Sequence, residues 1–342
     1  MHLNGPPGSS PSPRRTVPLA WFVVGLVVVA GVAVVGVAGY YDYRGSSPAG
    51  PVTVTDDLGR HVSVPSDPNR VVVLGPSIMD AMYRLGLRSH VVGVDCYAAS
   101  LGGLSDDYSS DQVALWNLTP SMCVEVEPSF DTEGLLAIGP QLILAATIVS
   151  TATIEQFSDT YHIPVVILQP ASLGGVLVDI QLLGEIFHVG PAASTIEQEL
   201  DAELASAAAL QANLTGNGTP FPTVLVTYSA DANGYWTYGP GTFGQSLIEL
   251  ASGASISANS TVSWPELSGE QVLASNPEYI VYGMGFGLNE SSYTDGPFWS
   301  QFTATQDGHA VGLDSNYFTE PDPSMILEGL PALIAVLHPG SA

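Results

Sequence analysis

Two glutamates, Glu133 and Glu270, occupy the same position in a stretch that the sequence uses twice. Glu, Leu, Ala, Pro and Ile recur at the same offsets in both copies, which lie 137 residues apart. A capping residue stands two positions before each glutamate, Asp131 in the first copy and Ser268 in the second. This spacing predicts a short capped helix and a proline turn into a buried strand, with each carboxylate in the first helical turn, where the helix dipole favours an anion. The duplication predicts two similar lobes, each with one carboxylate at a matching surface position.

The charge balance narrows the range of partners. Lysine is absent, the last arginine is Arg88, and beyond residue 50 four arginines stand against 32 Asp and Glu, a formal charge of −28. A field of this sign repels nucleic acid and anionic membrane surfaces, so neither is expected as a partner. Salt adaptation and an acidic exterior both explain such acidity. A charged content of only 12% favours the acidic exterior. At low pH the carboxylates are neutral, and the small number of basic residues then limits the repulsion between positive charges.

The N-terminal part of the chain predicts a membrane anchor. Residues 1–17 are rich in Pro and Ser and predict a disordered cytoplasmic tail, and residues 41–51 predict a linker. Residues 18–40 are uncharged, and at about 1.5 Å per residue they are long enough to cross the ~30 Å hydrocarbon core. The arginine pair at 14–15 precedes this span, so a single-pass cell-membrane protein with its bulk extracytoplasmic is expected. A cleaved signal peptide is the alternative, but its apolar core is normally about 7–15 residues long.

Two further features suit an extracytoplasmic body. Cys96 and Cys123 lie 27 residues apart, and a disulfide between them would contribute roughly 3 kcal/mol. Two unpaired small apolar side chains are the alternative, and the spacing does not fit a metal site. Asn-x-Ser/Thr sequons predict glycosylation sites at Asn117, Asn213, Asn217, Asn259 and Asn289.

The pattern of apolar runs predicts an α/β protein with two Rossmann-like lobes. Buried strands at 70–75, 91–94, 142–145 and 163–168 alternate with helices, which is typical of a parallel sheet covered on both faces. The segment 191–215 is rich in Ala, Glu, Gln and Leu and predicts one long helix between the lobes. The first lobe is therefore placed at 52–190 and the second at 216–342. A single rigid connecting helix predicts limited hinge motion.

From residue 52 to its end, the chain resembles the periplasmic-binding family for cobalamin and iron–siderophore uptake, the substrate-binding components of ABC importers. The resemblance is carried, in order, by residues 53–60, 70–77, 91–94, 133–140, 163–166, 263–273, 298–299 and 337–339. It implies two α/β lobes joined by one long helix, with a small-molecule chelate held between them and no enzymatic activity or cofactor. It also implies a monomer that meets an ABC permease dimer with its ATPase subunits.

The resemblance assigns a docking role to the repeated glutamates. In this family one glutamate per lobe contacts arginines of the permease, and the matching positions are Glu133 and Glu270. Exposed Glu–Arg pairs supply orientation and encounter rate more than affinity. The alternative is that both side chains only stabilise their helices, by about 0.3–1 kcal/mol each.

The resemblance also indicates a ligand site walled by aromatic side chains from loops at the strand ends. Large planar or amphipathic ligands suit such walls. Packing at the base of a loop is the rival interpretation for each ring. The candidates are Trp264, Tyr97, Tyr238, Tyr317, Phe318 and Phe130.

Two departures from the family pattern bear on the ligand. Anionic chelates are often held by arginine, and none follows Arg88, which disfavours catecholate and carboxylate siderophores. A corrinoid or a neutral hydroxamate chelate then stays open. Corrinoid binders often place an aromatic residue shortly before the first-lobe glutamate, a position that only Phe130 could fill here. A corrinoid is favoured narrowly.

Three rival functions carry less weight. Bare-metal capture needs converging His and carboxylate ligands, but the histidines are scattered along the sequence. An enzyme is disfavoured because no phosphate loop, Gly-x-Ser-x-Gly or close His–carboxylate motif is present. A membrane-anchored ligand sensor or surface protein with the same fold and no transport role is the main alternative.

Overall fold

The computed structural model describes residues 50–95, 119–126, 130–146, 149–285 and 288–340. Within these ranges no helix combines the length and apolarity needed to cross a bilayer. The tail predicted at 1–17 and the span predicted at 18–40 lie outside the described residues.

The first lobe is built on a parallel five-stranded sheet. A short hairpin of β1 (Val52–Thr55) and β2 (His61–Val64) precedes it. The sheet order is β5-β4-β3-β6-β7, and every described pair is parallel. Its strands are β3 (Val71–Leu74), β4 (Val91–Asp95), β5 (Cys123–Val124), β6 (Leu142–Ala145) and β7 (Val165–Ile167). All residues of β3, β6 and β7 are buried, which confirms the sheet covered on both faces that the apolar runs predict.

Helices cover both faces of this sheet. They are α1 (Pro76–Arg84), α2 (Thr132–Ile138), α3 (Thr151–Glu155), which continues as a π-helical turn at Gln156–Thr160, and α4 (Leu173–Ile186). Helix α1 begins with a proline at its first position and has a strong apolar face, which buries Ile78, Met79 and Met82.

The predicted long helix is present as α5, Gly190–Gly216, with 27 residues. It spans about 40 Å at 1.5 Å per residue. Pro191 stands in its first turn, and no Gly or Pro interrupts it until Gly216 ends it. Only Ala193, Ile196, Leu200 and Ala207 are buried, so the helix contacts the lobes along a narrow stripe.

The second lobe carries a mixed sheet of order β11-β9-β8-β12-β13, with β10 paired to β8. The strands are β8 (Thr223–Ala230), β9 (Gly234–Thr237), β10 (Ala254–Ser255), β11 (Glu266–Ser268), β12 (Tyr279–Met284) and β13 (Ala310–Asp314). The helices are α6 (Phe243–Leu250), α7 (Gly269–Ser275), α8 (Glu290–Thr294), α9 (Thr303–Gln306) and α10 (Leu330–Leu337), the last entered from a π-helical turn at Met325–Gly329.

Strand β9 ends directly before Tyr238, which the resemblance places in a loop at a strand end. Asp231 accepts hydrogen bonds from the backbone N–H groups of Asn233 (2.6 Å) and Gly234 (3.3 Å), which closes a tight turn. The chain then returns antiparallel to β8. The Asn-Gly pair followed by Tyr-Trp-Thr was a hairpin signal that the sequence interpretation did not use.

One apolar cluster runs through both lobes. It joins β3, α1 and α4 of the first lobe through α5 to β8, α6 and α10 of the second. Separate clusters cover the outer faces of the two sheets. Because a shared core resists separation, this packing agrees with the limited hinge motion that the connecting helix predicts.

Candidate functional site

The carboxyl ends of the two parallel strand sets point towards a common junction. A small cavity of about 20 Å³, room for roughly one water molecule, lies there. Ser77 lines it from the first turn of α1, Leu168 lines it just after β7, and Pro321–Pro323 line it from the segment after β13. Ligands of open α/β sheets bind outside the carboxyl ends of the strands. The junction between the lobes is therefore the place to look for a site.

Glu133 lies at this edge of the first lobe. Its helix α2 follows β5, the outermost strand of the sheet. The predicted N-cap is confirmed, since Asp131 accepts a hydrogen bond from the Gly134 N–H at 2.8 Å. The carboxylate of Glu133 is exposed in the first turn.

Glu270 lies at the corresponding edge of the second lobe. Strand β11 is antiparallel to β9, which is antiparallel to β8, so β11 runs in the same direction as β8 and is again outermost. Helix α7 follows it directly. Ser268 is the N-cap, as predicted, and forms a capping box with Gln271. Both glutamates are thus exposed at the carboxyl edge of a sheet, next to its outermost strand.

Trp264 forms the centre of an aromatic wall on the second lobe, and its side chain is 46% exposed. Backbone hydrogen bonds hold it on both sides, from Thr237 N–H to Pro265 O (3.0 Å) and from Gly239 N–H to Ser263 O (2.8 Å). Tyr228, near the carboxyl end of β8, stands almost perpendicular to the indole, with ring centroids 5.9 Å apart and planes at 82°. The two rings form a right-angled surface that faces solvent, and the backbone hydrogen bonds on either side of Trp264 hold it in place.

Tyr238 and Phe318 lie beneath this wall and are buried, with 1% and 2% exposure. The Tyr238 ring packs 5.7 Å from the Trp264 ring, and its hydroxyl donates to the Phe318 carbonyl oxygen. In this structure both residues support the wall, and their burial does not favour the predicted direct contact with a ligand. Tyr317 is half-buried in the 3₁₀ turn after β13, at the carboxyl edge.

The first-lobe candidates are less complete. Phe130 is half-buried, and its ring packs 5.7 Å from the Phe157 ring. Tyr97, Cys96 and Asn117 lie outside the described residues. Cys123 is disulfide-bonded. The four described sequon asparagines, at positions 213, 217, 259 and 289, are all exposed.

Carboxyl groups collect where the lobes meet. Burial, and then the nearby Asp57, raise the pKa of Asp179 to about 8. Asp179 lines the junction cavity, and its Oδ1 has no hydrogen-bond partner among the described residues. Burial, and then Asp95 at the end of β4, raise the pKa of Glu320 to about 7. Burial likewise raises the pKa of Asp322, which also lines the cavity.

One arginine fastens the two lobes at this junction. From α1, the Arg84 guanidinium donates to both carboxylate oxygens of Glu328 (3.0 and 2.9 Å) and to Asp80 Oδ2 (2.8 Å). The same Asp80 oxygen accepts the Ser324 N–H at 3.2 Å. Because this bidentate pair occupies the Arg84 guanidinium, its charge serves to hold the two lobes together.

The other arginines beyond residue 50 lie elsewhere on the first lobe. Arg60 pairs with Asp56, Arg70 donates to the Gly139 carbonyl oxygen (2.9 Å), and Arg88 is exposed just before the amino end of β4. Within the described ranges, no set of three or more His, Cys, Asp or Glu side chains is arranged to hold a metal ion. The junction therefore presents an aromatic surface with acidic side chains near it.

Sequence reasoning missed two parts of this site. Tyr228 could have been found, because the β-branched, apolar run at 223–228 indicates a strand that ends at this residue. The burial of Asp179 and Asp322 could not, since a carboxylate in a helix or loop has the same sequence signature whether it is exposed or buried.

Two α/β lobes on one long helix, with an aromatic wall and two exposed carboxylates at facing strand ends, define a binding protein. The family described as Periplasmic binding protein matches residues 71–317, and the chain belongs to it. This confirms the resemblance seen in the sequence motifs. The family consists of solute-binding proteins, which are not enzymes, and they bind small ligands and work with ABC permease and ATPase components.

Known relatives share most of the chain. A cobalamin-binding protein of Halobacterium salinarum is 26% identical over 282 residues, which cover 81% of this chain and 71% of the relative. The molybdate-binding protein MolA of Haemophilus influenzae superposes with a TM-score of 0.69 at 21% identity, covering 84% of this chain and 91% of its own. The vitamin B12-binding protein BtuF of Vibrio cholerae gives 0.61 at 22% identity, covering 80% and 98%. The solved structures show the same fold.

Proposed function

We propose that this protein is the membrane-anchored, extracytoplasmic substrate-binding component of an ABC importer. In this proposal residues 18–40 anchor the chain, a corrinoid or ferric-siderophore-type chelate binds between the lobes, and Glu133 and Glu270 dock on the permease. The single observation that carries the proposal is the equivalent placement of the two glutamates. Each is exposed, follows the outermost strand and stands at the carboxyl edge where ligands of such sheets bind.

The wall formed by Trp264 and Tyr228 supports a ligand with a large planar or amphipathic surface. An exposed indole fixed by two backbone hydrogen bonds offers such a surface at little cost in conformational entropy. The name of the Halobacterium salinarum relative points to a corrinoid.

The charges at the junction support a neutral or cationic ligand over an anionic one. A bound oxyanion would need a cationic partner, but Arg84, Arg60 and Arg70 are already held by partners inside the chain. Burying an anion without such a partner costs affinity. Catecholate siderophores and molybdate are therefore expected to bind poorly.

Ligand binding by the detergent-solubilised full chain tests the proposal. Cobalamin, a ferric trihydroxamate, a ferric catecholate and molybdate are added separately, and tryptophan fluorescence and melting are followed. At a hundredfold excess over Kd, the true ligand stabilises the protein by about 2.7 kcal/mol, which raises the melting temperature by roughly 4–5 °C. No shift with any of the four would favour the ligand sensor or surface protein that lacks a transport role.

A further inference from the structure

Phe298 is an aromatic residue that the proposed ligand site does not use. Its side chain is 36% exposed, and its backbone has φ +65°, in the left-handed region. A bulky residue there is an outlier that persists only where the surroundings impose it. Apolar burial does not explain the position, because the ring remains on the surface.

Buried neighbours impose this backbone conformation. The Tyr235 hydroxyl, beneath the segment, donates to the Pro297 carbonyl oxygen at 3.0 Å. A Cβ at Gly296 would stand 2.6 Å from the same hydroxyl oxygen. Only glycine at position 296 therefore lets the backbone pass this close to Tyr235. Tyr235 is fully buried and packs against Trp299 and Phe302. The core therefore fixes the backbone at 296–299 and leaves the Phe298 ring outside.

The ring lies against the residue that precedes Glu270. A Cβ at Gly269 would stand 2.6 Å from Phe298 Cδ2 and 2.6 Å from the Pro297 carbonyl oxygen, so glycine is needed for this approach. Glu270 follows directly and is exposed. The first copy has Thr132 at the position of Gly269. In the second lobe an exposed aromatic ring therefore packs against the residue before the glutamate, and the sequence repeat itself does not supply that ring.

We propose that Glu270 and Phe298 together recognise one arginine of the permease. The carboxylate accepts hydrogen bonds from the guanidinium while the ring covers part of its flat face. Arginine suits both contacts, because its guanidinium forms bidentate pairs with carboxylates and stacks on aromatic rings. The formal charge of −28 beyond residue 50 fits a basic partner surface. This inference rests on the proposed docking role of Glu270 and adds Phe298 as a second contact to the same arginine.

The test measures binding of the ligand-loaded full chain to its permease–ATPase complex in lipid nanodiscs, over a series of salt concentrations. The variants are F298A, F298N, F298Y and E270Q, with L58A as the control at another exposed apolar residue, 49% exposed on the first lobe. F298N is included because asparagine tolerates the left-handed backbone. Melting temperature and ligand Kd are recorded for every variant, so that a folding defect is recognised.

The expected result is a loss of about 5- to 30-fold in permease affinity for F298A and F298N, with F298Y and L58A within twofold of the parent. The salt dependence should fall for E270Q and stay unchanged for F298A, because only the first removes a charge. Parent-like affinity in F298A would overturn the inference, and so would a reduced salt dependence in F298A, which would mean that the ring only positions Glu270. If the parent protein binds ligand but not the permease, the docking proposal itself fails.

Discussion

The two copies of the repeat reach the same surface position by different routes. In the first lobe α2 follows the edge of a parallel sheet, whereas in the second α7 follows an edge strand reached through the antiparallel hairpin of β8 and β9. The caps also differ. Asp131 lies over Gly134, where a Cβ would stand 2.1 Å from its Oδ2, but Ser268 exchanges hydrogen bonds with Gln271.

The aromatic neighbours of the two glutamates differ as well. Phe130, three residues before Glu133, turns inward onto Phe157, while the second lobe exposes Phe298 beside Glu270 and Trp264 four residues before the helix N-cap. What the lobes share is the position of one carboxylate at the carboxyl edge. In the proposed function the carboxylates are the common docking element, whereas the second lobe provides most of the described aromatic surface.

The strongest test of this comparison is to reverse the charge at both glutamate positions. E133R/E270R is expected to reduce transport by more than about 100-fold, because each substitution places a like charge opposite a permease arginine. Ligand Kd should stay within about twofold of the parent, since neither side chain touches the aromatic wall. Uptake by proteoliposomes that contain the permease and ATPase measures the first quantity, and ligand titration measures the second.

The matched control is E155R/E199R, which changes the net charge equally at two other exposed glutamates. This control should transport like the parent. Equal losses in the two double variants would mean that overall charge, rather than the repeated positions, governs docking.

The second prediction concerns the aromatic rings. W264A should weaken ligand binding by about 10- to 100-fold, and it should also lower the free energy of unfolding by about 1–3 kcal/mol, because the buried half of the side chain packs on Tyr228, Tyr238 and Phe243. F130A should lower the free energy of unfolding by a similar amount through lost packing on Phe157, with a smaller effect on Kd. Titration calorimetry and urea unfolding separate the two quantities. A larger loss of affinity in F130A than in W264A would move the main ligand surface to the first lobe.

Much of this architecture was predictable because it depends on local patterns. The caps at Asp131 and Ser268, the buried strand at 142–145 and the long helix all follow from residue types over a few turns of chain. Even so, the local pattern was underused at β9, where the turn at Asp231 signalled a hairpin.

The parts that depend on distant contacts were not predictable. From the sequence, Tyr238 looks like an aromatic residue in a loop. It is nevertheless buried, and its hydroxyl donates a hydrogen bond to the Phe318 carbonyl oxygen, 80 positions along the chain. Asp179 sits in a helix with no sign of its burial, which arises from packing against α1 and the segment at 321–323. Phe298 is exposed only because Tyr235 fixes the backbone beneath it.

The third prediction contrasts the exposed carboxylates of the repeat with the buried ones at the junction. For Asp179 and Glu320 the folded-state pKa, about 8 and about 7, lies above the ordinary values of 3.8 and 4.5. Between about pH 4 and pH 8 the folded protein therefore holds more protons than the unfolded chain. The free energy of unfolding should then fall as the pH rises through this window. A stability optimum on the acidic side would also fit an acidic exterior.

Replacing one buried carboxyl group tests the cause. D179N should raise the free energy of unfolding at pH 8 by about 1–3 kcal/mol, because it removes a desolvated charge. At pH 5 it should have little effect, because Asp179 of the parent is already protonated at that pH. E199Q, at an exposed position on α5, is the control and should leave the pH profile unchanged. If urea unfolding of D179N shows the slope of the parent between pH 5 and pH 8, burial of Asp179 is not the source of the pH dependence.

The smallest expected effect distinguishes the two caps. D131A removes the side-chain cap of α2, the 2.8 Å bond from Gly134 N–H, and should cost about 1 kcal/mol. S268A removes a longer bond, 3.2 Å from Gln271 N–H, while the Gln271 side chain can still accept the backbone N–H of residue 268, a bond of 2.8 Å in the parent. Its cost should be nearer 0.5 kcal/mol. Chemical denaturation of both variants measures the difference, with the double variant as the check, because caps on separate lobes should add within about 0.5 kcal/mol. A larger cost for S268A would mean that the hydroxyl, rather than the reciprocal glutamine bond, holds the start of α7 and hence the backbone on which Glu270 is presented.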